Sequence, residues 1–257
     1  MFYFQKIGLY DTMIETTIRK YGFRLRQTWF AEEPYDSRDC DIAMFYYARK
    51  QPQVGSFIKE VSSCQCVDTA KPLEEIQKGF NYNTRSEIRN AEKEKFDVRV
   101  NRNYEDFASL FMKQADYKRL KLKHLPVEGL RKQEHLLVSV WGVGGKHPLA
   151  CDYAGIQGTS LYIVFICNSR CLGDDQRLVS RASRLAHWEM IKWAKEHGYS
   201  EISVGALGDD PSDRGNVEFK KGFGGYEKRV AAYIRVYNPV LRLLSRFRKG
   251  RSTKEAK

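Results

Sequence analysis

The chain has 257 residues, of which 42% are hydrophobic and 30% charged, a balance that supports a sizeable core under a solvated surface and excludes wholesale disorder. Its net charge is +12, but ten of the basic side chains and only two acids lie from Tyr226 to Lys257, which leaves +4 for the other 225 residues. No run of eighteen apolar residues is present and the first ten residues lack the parts of a signal peptide, so the expectation is a cytoplasmic protein, with a peripheral place at the inner membrane surface if the tail meets anionic lipid.

In chain order, Phe23–Phe30 and Asp41–Arg49 alternate as strands, and Val61–Val67 reads as a third. Pro72 opens a helix to Phe80, and a second helix runs from about Thr84 to Lys95. On it Arg85, Arg89 and Lys93 fall four apart, which makes one basic stripe. Asp97–Asn101 alternates as a strand, and Asn103 stands where a helix cap is needed before Phe107, Leu110 and Phe111. Pro126 opens a short helix. Three antiparallel strands are expected at His135–Val143, Pro148–Gln157 and Ser160–Asn168, with glycine turns between them. Asp174 or Asp175 caps the longest helix, which stops at His197-Gly198. Glu201–Val204 is a short strand, Asn216–Lys221 a short helix, and Glu227–Tyr237 a strand. Pro239 begins a final amphipathic helix. The expected division is residues 1–71, 72–237 and 238–257: a reduced N-terminal subdomain, an α/β domain with helices on both faces of its sheet, and a basic tail.

The six cysteines, Cys40, Cys64, Cys66, Cys151, Cys167 and Cys171, contain one close pair and no zinc pattern, and are read as reduced thiols. The histidines show no metal spacing, and His187 beside Trp188 reads as a packed helix residue.

Three local patterns carry a resemblance. They are Arg85-Ser-Glu-Ile-Arg-Asn-Ala-Glu-Lys93 with the later Glu105-Asp106-Phe107; Leu185-Ala-His-Trp-Glu-Met-Ile-Lys-Trp-Ala-Lys-Glu-His-Gly-Tyr199; and Asn216-Val-Glu-Phe-Lys-Lys-Gly-Phe-Gly-Gly225. Over residues 72 to 245 their order resembles the FemAB-like branch of the Gcn5-related N-acetyltransferase (GNAT) superfamily. That branch includes peptidoglycan-bridge aminoacyltransferases and polysaccharide-associated acetyltransferase-like proteins. The resemblance implies a mostly antiparallel, twisted GNAT-like sheet. It also implies transfer of an acetyl or aminoacyl group from acyl-CoA or aminoacyl-tRNA, as co-substrate and not as a resident cofactor, to an amine of a sugar, glycan or cell-envelope precursor. Of the two donors acyl-CoA is slightly favoured, because no long charged helical hairpin interrupts the second half.

On the same resemblance Lys220 matches the family's Phe-Lys position, where the cation steadies developing negative charge, and Phe219 and Lys221 flank it at the substrate. Asp152, on a central strand, and Glu189, on the long helix, are candidate bases by position. Arg85 and Arg89 are candidates for a phosphate of a nucleotide- or lipid-linked acceptor. Arg170-Cys-Leu-Gly173, with Arg177 beyond, matches the first half of the GNAT diphosphate loop, but Asp174 and Asp175 put two negative charges where the diphosphate belongs. Against the transferase stand two rivals on a degenerate scaffold: a nucleic-acid-binding adaptor and an inactive partner subunit. A bound tRNA donor or an anionic membrane surface would each suit the basic tail.

Overall fold

The computed structural model describes residues 13–20, 22–53, 57–119, 125, 127–132, 134–208 and 213–243. The chain divides into two compact units. One is Ser62–Val230; the other is residues 13–61 with the segment from Ala231. These limits differ from the expected ones, since the first boundary falls inside the strand Ile58–Asp68 and the last inside Tyr226–Val236.

The smaller unit holds β1 (Ile14–Lys20), β2 (Phe23–Trp29), β3 (Ile42–Tyr46) and the end of the strand Tyr226–Val236. β1 pairs antiparallel with β2, β2 runs parallel to β3, and Ala232–Val236 pairs antiparallel with β3. β1 was not expected. Only Ile14 and Ile18 are apolar among its alternating threonines and charges, so the strand owes its existence to the ladder with β2. Phe45 is fully buried between Tyr35 and Phe57, at ring separations of 4.9 and 5.8 Å. Residues 239–243 are helical, as expected from Pro239, while the rest of the expected tail, 244–257, lies outside the described residues.

The larger unit contains β4 (Ile58–Asp68) from Ser62 onward, α1 (Leu73–Gly79), α2 (Tyr82–Lys93), β5 (Asp97–Val100), α3 (Tyr104–Tyr117), α4 (Val127–Arg131), β6 (His135–Trp141), β7 (Pro148–Gln157) and β8 (Ser160–Asn168). After these come α5 (Gln176–Glu196), β9 (Glu201–Leu207), α6 (Arg214–Lys221) and, as far as Val230, β10 (Tyr226–Val236). The sheet order is β10-β4-β9-β8-β7-β6-β5. The pairs β4/β9, β8/β7, β7/β6 and β6/β5 are antiparallel, and β8/β9 is parallel.

Alternation explains the two layers. Leu136, Val138, Val140, Ala150 and Ala154 point to one face, where α2 and α5 cover them with Ile88, Leu185, Trp188 and Ile191. Tyr153 and Phe165 point to the other, where they meet Phe107 and Phe111 of α3. Burying each such side chain stabilises the fold by about 1.5–3 kcal/mol. Asn103 does occupy the cap position of α3, but its left-handed backbone (φ 59°) turns the side chain away from the helix amides and onto Asp106. All six cysteines are free thiols.

Candidate active site

The parallel pairing of β8 with β9 lasts only from Ser160–Tyr162 against Glu201–Ser203. Beyond it β8 continues to Asn168 and β9 to Leu207 without pairing to each other. Each strand carries an irregularity at the parting. On β8, Val164 is an extra residue between the pairs Ile163↔Ala154 and Phe165↔Tyr153. On β9, Val204 is extra between Ser203↔Cys66 and Gly205↔Gln65. An extra residue bends its strand and increases its twist, so two of them at one place open the sheet into a cleft.

The lips of the cleft differ. On the β8 side, the open edge is met by Gln114 of α3, whose Nε2 donates to Ile166 O at 3.1 Å and whose Oε1 accepts from Asn168 N at 2.8 Å. On the β9 side, Lys220 of α6 donates from Nζ to Ala206 O at 2.5 Å. Its stem lies over Gly205, where a Cβ would come within 3.0 Å of Lys220 Cε, and Gly205 has a positive φ of 122°. The positive φ calls for glycine there, and its lack of a side chain leaves room for the lysine stem. Burial lowers the Lys220 pKa; Asp213, at the start of α6, opposes that, and Lys118, at the end of α3, adds to it. An ammonium has three donors. One is fixed on Ala206 O, and no other hydrogen-bond partner of Nζ is present among the described residues.

The expected site residues do not all gather here. Phe219, next to Lys220, is half-buried against His187 and Phe223, and the Arg184 guanidinium lies 5.2 Å from its ring centre. Burial lowers the pKa of that arginine, Glu87 opposes the shift, and Arg170 adds to it. Asp152 is buried on β7 with its Oδ2 2.5 Å from His187 Nδ1. Lys221 points outward to Glu227 at 2.7 Å. Glu189 pairs with Lys192 one helical turn on, also at 2.7 Å. Arg85 turns back onto α1, donating to Lys78 O at 3.0 Å and to Phe80 O, and Arg89 is exposed.

The loop before α5 has its own arrangement. Arg170 is exposed in the 3-10 turn Ser169–Leu172, and Gly173 ends that turn with φ 84°. Asp175 Oδ1 accepts from the backbone N–H groups of Arg177 and Leu178 at 2.8 and 2.9 Å, and those contacts hold its carboxyl below the usual aspartate range. Asp174 pairs with His147 at 2.7 Å. Two backbone N–H groups at the start of α5 thus already serve the protein's own carboxylate.

Sequence reasoning did not single out Gln114, Gly205 or the pairing of His187 with Asp152. The signal for Gly205 was present: a lone glycine inside the strand Ser203-Val-Gly-Ala-Leu207 marks a bulge or a close approach. Nothing local in the sequence marks Gln114, whose role depends on where α3 lands.

A splayed pair of parallel strands at the centre of an otherwise antiparallel sheet, with helices on both faces, defines a GNAT-type fold. Three solved structures share this fold. FemX is similar over 78% of this chain and 68% of its own, with 14% identity and a TM-score of 0.57. The C-terminal domain of a putative lysylphosphatidylglycerol synthetase from Agrobacterium fabrum matches 91% of this chain and 84% of its own, at 11% identity and a TM-score of 0.55. L-PGS from Bacillus licheniformis matches 91% and 85%, at 11% identity and a TM-score of 0.52. At these identities the likeness is one of fold. No protein-family model and no curated protein sequence matches the chain.

Proposed function

We propose that the larger unit is an N-acyltransferase. It moves an acyl group from an activated donor to an amine of a sugar, glycan or cell-envelope precursor, and an aminoacyl ester suits the site better as donor than an acyl-CoA. The observation that carries this reading is the cleft between β8 and β9 with the Lys220 ammonium fixed at its lip on Ala206 O.

The acyl carbonyl lies in the cleft, and the amine attacks its carbon. A carbon–nitrogen bond forms, the bond to the donor oxygen breaks, the amine gives up a proton to solvent, and the leaving alkoxide takes one. In between, negative charge grows on the carbonyl oxygen. The free N–H groups of Lys220 meet that charge without having to reorganise, because the stem is already held over Gly205 and Nζ on Ala206 O. Holding both reactants in one cleft supplies the proximity.

Two features support the donor class. A CoA diphosphate would have to displace Asp175 from the amides of Arg177 and Leu178 and sit beside Asp174. An aminoacyl ester makes no such demand. In addition, the Agrobacterium fabrum domain belongs by its name to a putative synthetase of a lysylated lipid. In this reading the basic C-terminal stretch attracts the anionic carrier, tRNA or membrane lipid, on which donor or acceptor arrives.

The test is label transfer. The purified chain is supplied with radiolabelled aminoacyl-tRNA or acetyl-CoA and a panel of amino sugars, their nucleotide and lipid conjugates, and aminated phospholipids. The expected result is transfer from aminoacyl-tRNA that falls about 100-fold or more in Lys220→Ala. Equal activity in that variant, or no transfer from either donor, would remove the reading.

A further inference from the structure

The buried pair beneath α6 is polar where packing alone would favour an apolar one. His187 is 0% exposed and Asp152 1%. Asp152 Oδ2 approaches His187 Nδ1 to 2.5 Å, yet off the axis of its N–H, which points closer to Ser183 O at 3.2 Å. Among the described residues neither Asp152 oxygen nor His187 Nε2 has a hydrogen-bond partner. A buried ionisable pair so incompletely bonded is less stable than two apolar side chains of the same volume, so its presence points to a role beyond cohesion.

What rests on the pair is α6. This eight-residue helix has no fully buried residue. Two rings hold it down: Phe219, and Phe223 in the turn that follows. Phe219 meets the His187 ring edge to face, at 5.0 Å and 89°, while Phe223 stacks on it at 5.1 Å and 19°. The two phenylalanines also meet each other at 5.5 Å, and Phe223 packs on Phe80 at 5.4 Å. Both rings that seat the helix therefore lie on one imidazole, and Lys220 is the neighbour of the first.

We infer that His187, whose Nδ1 faces Ser183 O beside Asp152, is a positioning residue for the Lys220 ammonium. The imidazole seats Phe219 and Phe223; those rings fix the last turn of α6; and that turn holds Nζ on Ala206 O at the lip of the cleft. His187 touches no reactant and acts only through the two rings. The inference rests on the reading of Lys220 as the cation of the cleft. The His187 ring thus joins the groups that set where the oxyanion's partner stands.

The test needs no substrate. The full chain is reductively methylated with 13C-formaldehyde, the Lys220 signal is assigned by its loss in Lys220→Arg, and its titration is followed by NMR. Among the described residues Asp213 and Lys118 are the charged groups that bear on Lys220, and both are left unchanged. In the unsubstituted chain Lys220 titrates below an ordinary lysine. In His187→Ala its midpoint rises toward the ordinary value, because a loosened α6 lets water reach Nζ. Asp152→Leu combined with His187→Phe, which keeps a ring in the same space, returns the midpoint toward that of the unsubstituted chain. If His187→Ala does not fold, Phe219→Leu, which removes the other ring of the same contact, carries the same expectation. Leu130→Ala, on the opposite face of the sheet, is the control for general loosening. A depressed midpoint that His187→Ala or its substitute leaves unmoved, or that Leu130→Ala raises equally, overturns the positioning role alone. An ordinary midpoint in the unsubstituted chain overturns the cleft reading and the positioning role with it.

Discussion

Two helix ends of the larger unit, the start of α5 and the end of α6, are finished in opposite ways. The start of α5 presents backbone N–H groups, the usual partners of a phosphate, but Asp175 already accepts from two of them and Asp174 adds a second negative charge. The end of α6 presents a cation whose stem is packed on Gly205 and whose head is tied to a β9 carbonyl. At the first end two backbone donors are taken by the protein's own carboxylate, and at the second a cation stands beside a strand carbonyl. The contrast teaches that one helix end of this fold can be given over to capping while another carries a fixed cation.

The contrast breaks most severely if the α6 end loses its seat. Gly225, with φ 79°, lies so close to β4 that a Cβ would fall on the Cys66 carbonyl, well inside any possible contact. Gly225→Ala is expected to destabilise the larger unit by about 3 kcal/mol or more, read as a lower chemical-denaturation midpoint. Lys220→Ala removes the cation without unfolding the chain, and should cost about 100-fold or more in transfer with little change in melting temperature. Lys221→Ala, one residue on, loses only a surface pair with Glu227 and should change stability by under about 0.5 kcal/mol.

The capped end is sharpened by Asp175→Ala. Because two amides lower the Asp175 pKa in the folded chain, its contribution is fully present above the ordinary aspartate range and is lost as pH falls through the depressed value. The melting temperatures of the unsubstituted and Asp175→Ala chains should therefore differ at neutral pH and converge on the acid side. The same variant frees the Arg177 and Leu178 amides, so it should bind coenzyme A more tightly than the unsubstituted chain by calorimetry. The smallest effect is expected from Glu189→Gln, which leaves the cleft untouched and breaks one part-exposed pair with Lys192. Transfer by that variant should match the unsubstituted chain within about twofold, the span of a surface interaction.

The sequence exposed much of this and hid the rest for physical reasons. Strands β5 to β8 and helix α5 were legible because their side chains repeat with the period of the element and their turns carry glycine. The Asn216–Gly225 pattern drew attention to Lys220, and the structure adds its place over Gly205 and its contact with Ala206 O. The cleft was not, because it arises from two extra residues, Val164 and Val204, that show only when each strand is set beside its partner. Asp152 and His187 were each visible, 35 positions apart, but their meeting depends on α5 crossing β7. Asp175 was recognised as both a cap and an obstacle, and only the distances to Arg177 N and Leu178 N decide between the two.

The most direct measurement of the central claim is a crystal structure of the chain with a stable aminoacyl-ester mimic, an aminoacyl amide of 3′-amino-3′-deoxyadenosine. The account predicts its carbonyl between β8 and β9, with the oxygen about 3 Å from Lys220 Nζ. A mimic bound at the start of α5 or elsewhere, with Lys220 still facing only Ala206 O, would contradict it.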